Sequence, residues 1–270
     1  ACRTVGLPAP PITITTAAVP VVETPEVVEA PAVEAPDPVE ALGAGRAVAG
    51  SIPAPVSETR GLWVVRSTLV HPDSVRAMVA RAADAGFNTL LVQVRGRGDA
   101  YYSGGIEPRA DGIQGGPTFD PLALTVREAH ARGIEVHAWM NVHLISSASV
   151  ISSEPTHLVN ERPELLAIPR ELAGELYDMD PASPRYVERL VEHALANQDQ
   201  IEGLYSSPSA PEIKERVFSV ATDLVERYEI DGIHMDYVRY PRGDFDYSRG
   251  ATDRFRTWIE ERITDDQRAE

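Results

Sequence analysis

The residues best placed to do chemistry lie in the segment Tyr228 to Pro241, YEIDGIHMDYVRYP. Ile233, Met235 and Val238 make an apolar run of strand type opened by the Asp231-Gly232 turn, and His234 and Asp236 interrupt it. An unpaired ionised side chain in a dry core loses several kcal/mol, so Asp236 must be wet, paired or functional. In a parallel α/β barrel the wet place is the carboxyl end of a strand, where active sites form. A carboxylate there can act as acid, base or nucleophile. The competing structural role is a helix cap, or an ion pair with Arg239 or Arg242.

Other strand ends carry similar groups. Gln93 and Arg95 finish one apolar run and lead into GRGDAYYS, with Asp99 and Tyr102; His137, Trp139 and Asn141 alternate along the next. Alternate residues of a strand share a face, so each set can point together into a barrel or its mouth. Polar groups beside aromatic rings suit a sugar, whose hydroxyls need hydrogen bonds and whose C–H face stacks on an indole. Singly, each has a plainer reading: His137 as a core histidine, Trp139 as a core ring, RGRGD as a solvated turn. Their convergence at consecutive strand ends favours a site. Gly96-Arg97-Gly98 fits neither the dinucleotide nor the phosphate-loop spacing. His137, His234 and Asp236 match zinc-ligand patterns poorly, so a metal-dependent hydrolase or deacetylase ranks last and no metal or cofactor is expected.

Alternating strand and helix patterns position these groups. Gly61 to Arg66, Asn88 to Arg95, Ile134 to Asn141 and Asp231 to Val238 read as strands, with Leu204-Tyr205 a short extra one. Helices are predicted over Pro72 to Ala85, Pro121 to Gly133, Pro184 to Ala196 and Pro211 to Tyr228, and more weakly over Thr252 to Ile263. The second of these is opened by Asp120 as cap and Pro121 as first residue and closed by Gly133. Repeated βα units imply an α/β fold with a parallel sheet.

Ten of the 22 prolines fall before Glu58, among Ala, Val and spaced Glu, so residues 1–57 read as a disordered tether. Beyond it stand 35 acidic and 23 basic residues, an acidic balance that argues against a nucleic-acid partner. No stretch is long and apolar enough to span a bilayer. Cys2 is the single cysteine, which excludes an internal disulfide. An N-terminal cysteine followed by a tether resembles a bacterial lipoprotein after signal removal, with Cys2 lipidated and the membrane reached only through that anchor; the alternative is a free thiol.

RGLWVVR, VQVRGRGDAYYSG followed by EPR, FDPLALTVREAHARGIEVHAWMN and RYEIDGIHMDYVRYP, in that order, resemble the glycosyl-hydrolase-like 10 family of bacterial barrels, once a domain of unknown function. The resemblance runs from about Arg60 to Pro241 and is looser over Val142 to Ala182. It implies a TIM-type (β/α)8 barrel, a secreted or cell-envelope location, and hydrolysis of an envelope polysaccharide, with peptidoglycan glycan strands favoured. By the family pattern Asp236 is the catalytic carboxylate. Some members carry two adjacent aspartates where this chain has Asp236-Tyr237. Gln93, Arg95, Asp99, Tyr102, His137, Trp139, Asn141, His234 and Arg239 are the expected glycan contacts.

Glycosidases use two carboxylates. Asp99, Glu107 and Asp111 are possible local partners for Asp236, and nothing in their spacing selects one. A complete barrel takes eight strands and about 250 residues, whereas residues 58–270 supply four clear βα units. The expectation is therefore the first half of a barrel, a fragment that turns over little by itself. Its last strand and helix faces such as Ile213, Val217, Leu224 and Val225 would lack neighbours and drive self-association. A non-catalytic glycan-binding module is the runner-up reading.

Overall fold

The computed structural model describes residues 58–264 and 267. The expected tether and Cys2 lie outside the described residues. The elements run β1 (Gly61–Val64), α1 (Pro72–Asp84), β2 (Thr89–Arg95), α2 (Pro121–His130), β3 (Glu135–Asn141) and β4 (Leu144–Ser146). They continue with two single-turn helices, α3 (Leu158–Glu161) and α4 (Ala173–Leu176), then α5 (Pro184–Ala196), β5 (Leu204–Tyr205), α6 (Pro211–Arg227), β6 (Gly232–Asp236) and α7 (Arg249–Glu260).

Local chemistry sets the helix ends. Asp120 accepts the Ala123 amide at 3.0 Å while Pro121 occupies the first turn of α2, and Gly133, at φ 68°, takes the left-handed turn that stops continuation towards β3. Four parallel strands form the main sheet in the order β1-β2-β3-β6. Each new strand joins beside its predecessor without the reversal of a doubly wound sheet, as in a TIM-type barrel. One face is dry: Leu90, Val92 and Val94 of β2 with Val136, Ala138 and Met140 of β3 pack in one core with Val75 and Val79 of α1, Leu122 and Val126 of α2, and Val220 and Leu224 of α6.

The other face holds the alternate residues, Trp63, Leu91, Gln93, His137, Trp139, Asn141, His234 and Asp236, aligned by register. The sheet is strongly curled around them. A flat sheet would put β1 and β6 about 14 Å apart at ordinary strand spacing. Yet the indole Nε1 of Trp63 lies 3.3 Å from Nε2 of His234 across the concave side.

The excursion between β3 and β6 builds a second core. β4 and β5 pair antiparallel, Leu144 beside Tyr205. Ile145, Leu158, Leu166 and Ile168 pack there with Tyr186 and Leu190 of α5 and Ile213 of α6. Among the described residues no helix is long and apolar enough to cross a membrane.

Several expectations need correction. β6 ends at Asp236 rather than Val238, because Tyr237 turns the chain at φ 53°. β6 is, as expected of the last strand, at the edge of the sheet, with Met235 50% exposed. Ile213 and Leu224 are buried, not unpartnered; Val225, at 58% exposure, and Phe218 are the apolar residues α6 leaves in solvent. α7 starts three residues early, because the Ser248 hydroxyl accepts the Ala251 amide at 3.2 Å.

Candidate active site

Asp236 ends β6 beside Asn141, the last residue of β3. It is half-buried, so the burial argument holds only in part. Its carboxylate is nonetheless fixed at both oxygens: Trp139 Nε1–H donates to Oδ2 at 3.2 Å and the Tyr237 amide to Oδ1 at 2.7 Å. One register step back, the His234 ring lies edge-on between Trp63 and Trp139, with centroids 6.0 and 6.2 Å away. Because Trp63 donates to Nε2, a neutral His234 carries its proton on Nδ1. Trp139 lies against Asp236 and Trp63 joins it only across His234, giving aromatic groups of the kind a pyranose face stacks on.

His137 sits farther down the strand opposite Gly232, with Glu135 Oε2 at 3.9 Å. It belongs to the concave face but not to the Asp236 end. It does not converge with His234 and Asp236 as metal ligands would, and among the described residues no group of three or more His, Cys, Asp or Glu is placed to hold a metal.

Gln93 and Asn141 are buried and order the mouth from beneath. Gln93 Nε2 donates to Asn141 Oδ1 at 3.4 Å, its Oε1 accepts the Arg66 amide at 3.3 Å, and Asn141 Nδ2 donates to the Gly96 carbonyl at 2.9 Å. Asp99 Oδ1 accepts the Arg97 amide at 2.7 Å and the Gly96 amide at 3.3 Å, so it shapes the loop after β2. Arg239 pairs with Glu202 at 2.7 Å and lies over the rings of Tyr237 and Tyr205, at 5.0 and 5.8 Å.

Four expected glycan contacts are buried rather than offered to a ligand: Gln93 and Asn141 beneath the mouth, and Arg95 and Tyr102 in the interior. Arg95 Nη2 meets Glu107 Oε1 at 2.7 Å, and Arg216 Nη2 meets Glu107 Oε2 at 2.7 Å. Arg95 Nη1 also donates to the carbonyls of Asn141 and Val142. Burial alone would raise the pKa of Glu107, whose side chain is 0% exposed; the two guanidiniums overcome that and hold it below the usual carboxylate range. Arg95 therefore ties strand ends together, and Glu107 is not available as a partner for Asp236. Tyr102 is fully buried, edge-on to Tyr228 at 5.9 Å, with burial pushing its hydroxyl pKa up.

The structure adds residues the sequence reading passed over. Trp63 completes the aromatic wall. His143 continues the alternation of His137, Trp139 and Asn141 by one more step, a signal present in the sequence. Its Nδ1 lies 3.2 Å from Ser206 Oγ; burial, then the charge of Arg95, lowers its pKa to about 4, so it is neutral at pH 7. Arg66 and Arg97, from the loops after β1 and β2, line a cavity of about 230 Å3 together with Asp99, Tyr101 and His157.

Residues 58–262 match the glycosyl hydrolase-like 10 family model, and the chain belongs to that family. Glycosyl hydrolase YngK of Bacillus subtilis (strain 168) is 28% identical over 162 residues, covering 58% of this chain and 26% of the relative. Glycosyl hydrolase DigH of Escherichia coli (strain K12) is 31% identical over 159 residues, covering 57% and 31%. The chain thus spans less than a third of the length of either relative. Among solved structures, the glycoside hydrolase domain of PgaB (BpsB) from Bordetella bronchiseptica has a TM-score of 0.47 at 16% identity, covering 74% of this chain and 50% of that one. A hypothetical protein from Ruminiclostridium thermocellum also scores 0.47, at 14% identity, covering 76% and 93%.

Proposed function

We propose that this member of the glycosyl hydrolase-like 10 family hydrolyses a glycosidic bond in an envelope polysaccharide, peptidoglycan glycan strands being the favoured substrate, with Asp236 as the catalytic carboxylate. The observation that carries the reading is the fixed carboxylate at the end of β6, held by the half-buried Trp139 and by Tyr237, with the exposed indole of Trp63 across His234. With both oxygens accepting hydrogen bonds, Asp236 is arranged as a nucleophile or base; an acid needs a proton on an oxygen free to donate to the leaving group. Trp63 and Trp139 would take the C–H face of a sugar, and His234, locked between them, would offer Nδ1–H to a hydroxyl. Cys2 as an acylated anchor would hold the chain at the membrane surface, consistent with a substrate in the envelope.

A glycan-binding module without turnover is the second reading, and one observation favours it. Glycoside hydrolysis needs an acid partner, and among the described residues no carboxylate bonds to Asp236 or shares its donors. Glu107 is sealed between guanidiniums, Glu202 is pinned by Tyr205 Oη at 2.5 Å and Arg239, and Asp99 holds backbone amides. Reducing-sugar release and strand binding, measured together on glycan strands stripped of stem peptides, separate the two. Release with catalytic turnover supports the hydrolase. Saturable binding with no release supports the module, and neither binding nor release overturns both.

A further inference from the structure

We propose that the cavity beside the Asp236 mouth is a carboxylate subsite, in which Arg66 and Arg97 together grip an acidic group carried by the glycan. The proposal rests on the glycan-directed reading above and narrows its substrate to sugar chains bearing a carboxylate. Arg66 follows β1, Arg97 follows β2, and both line the same cavity. Their positions are built. The Arg66 stem lies directly on Gly96, where a Cβ would come 2.4 Å from its Cδ, so only glycine admits it. The loop under Arg97 is tied at each side: Asp99 accepts its amide at 2.7 Å, His157 Nε2 holds its carbonyl at 2.7 Å, and Asn141 holds the Gly96 carbonyl. Asn141 is also the register partner of Asp236, which puts the cavity alongside the mouth.

What these arginines lack is a counter-ion. Among the described residues neither has a carboxylate within ion-pair distance, whereas Arg95, Arg189, Arg216 and Arg242 all do. Arg66 meets only uncharged partners, Gln93 Oε1 at 3.5 Å from Nη1 and the Tyr101 hydroxyl, and Nη1 of Arg97 donates to the Gly96 carbonyl at 3.0 Å. The Arg97 Nε is buried with no partner at all. Two guanidiniums side by side, one with an orphaned buried donor, are costly unless an anion joins them. Burial, and then the charge of Arg66, lower the pKa of Arg97, and the opposing contributions of Tyr237, Asp99 and Tyr205 do not offset them. Asp99, Asp111 and Glu154 line the same cavity, which disfavours a dianion such as phosphate and suits a planar monoanion that one guanidinium fork can take at both oxygens.

The test is calorimetric binding by the 270-residue chain of two strands that differ in one group: peptide-free glycan with free lactyl carboxylates, and the same glycan with those carboxylates amidated. The expected result is tighter binding of the acid form by about tenfold or more, the value of a charge-assisted hydrogen bond. Arg97→Gln and Arg66→Gln should each abolish that preference while leaving the amide-form affinity in place. Arg97→Lys should restore part of it, and Gly96→Ala, which displaces Arg66 without removing charge, should weaken it. Equal affinity for the two strands, no binding of either, or loss of both affinities together in the Gln variants would overturn the proposal. Reducing-sugar release recorded in parallel keeps the hydrolase reading separate: preference without release spares the subsite, and release without preference spares the enzyme.

Discussion

Arg95 and Arg97 stand two residues apart at the end of β2 and meet opposite fates. Arg95 turns inward to Glu107, itself sealed, and shares that carboxylate with Arg216, which reaches it from the partly exposed side and also pairs with Glu161. The Arg97 guanidinium turns into an open cavity with Arg66, where, among the described residues, no carboxylate comes within ion-pair distance of it. The same contrast separates the acids: Glu107 is enclosed by charge, while Asp236 is held by two neutral donors and still faces the open concave side. Closed charge at this end of the sheet holds strand ends in place; open charge is left for a ligand. Residue type alone does not distinguish them, and burial and pairing do.

Glu107 carries the largest expected effect on stability. Glu107→Gln leaves the buried Arg95 guanidinium without its anion, while Arg216 keeps Glu161, and should cost about 3–5 kcal/mol, seen as a fall of about 6–20 °C in Tm. The sign with pH follows. A carboxylate whose folded pKa is depressed contributes stability above its unfolded pKa, near 4.3, and loses it as pH falls through the folded value. The wild type should therefore lose stability on acidification below about pH 4, and the Gln variant should lack that component in urea titrations across the same range. A variant as stable as wild type would show that the triad is not structural.

A smaller effect is expected at His143, on the border between the two regions. Its pKa is lowered from 6.5 to about 4, so below pH 6.5 the unfolded chain takes up a proton that the folded chain refuses. Stability should fall as pH drops from about 6.5 to about 4 by at most about 3 kcal/mol, and then level off. His143→Gln should flatten that segment of the profile. An unchanged slope would mean that His143 is solvated in both states.

Tyr102 gives the smallest effect. Its buried hydroxyl has no partner, so Tyr102→Phe should change stability by less than about 1 kcal/mol and leave strand binding as in wild type. A loss of binding would return Tyr102 to the site.

Much of this scaffold was legible in the sequence because the signals are local. Asp120-Pro121 and Gly133 bracket α2, and the apolar run Thr89–Arg95 marks a strand covered on both faces. The concave-face residues were legible too: alternation by two put Trp139, Asn141, His234 and Asp236 together, and the register does so. What escaped depends on distant partners or on unsignalled backbone. Nothing near Arg95 announces that Arg216 will approach Glu107 from α6. Tyr237 takes a positive φ that its residue type does not advertise, so the end of β6 was misjudged. β4 is three residues long, too short for any period to appear. Trp63 sits in a four-residue strand whose inward face becomes evident only when the sheet curls.

The most direct test of Asp236 as the open, working carboxylate is Asp236→Asn, assayed on one preparation for melting and for reducing-sugar release from peptide-free glycan strands. The substitution keeps size, but the amide oxygen can accept from only one of the two donors, Trp139 or Tyr237, so Tm should fall by no more than about 4 °C, the loss of one hydrogen bond. Turnover should fall by about three orders of magnitude or more, because the lost charge acts in the transition state. Release within tenfold of wild type, from protein that melts normally, would contradict the assignment.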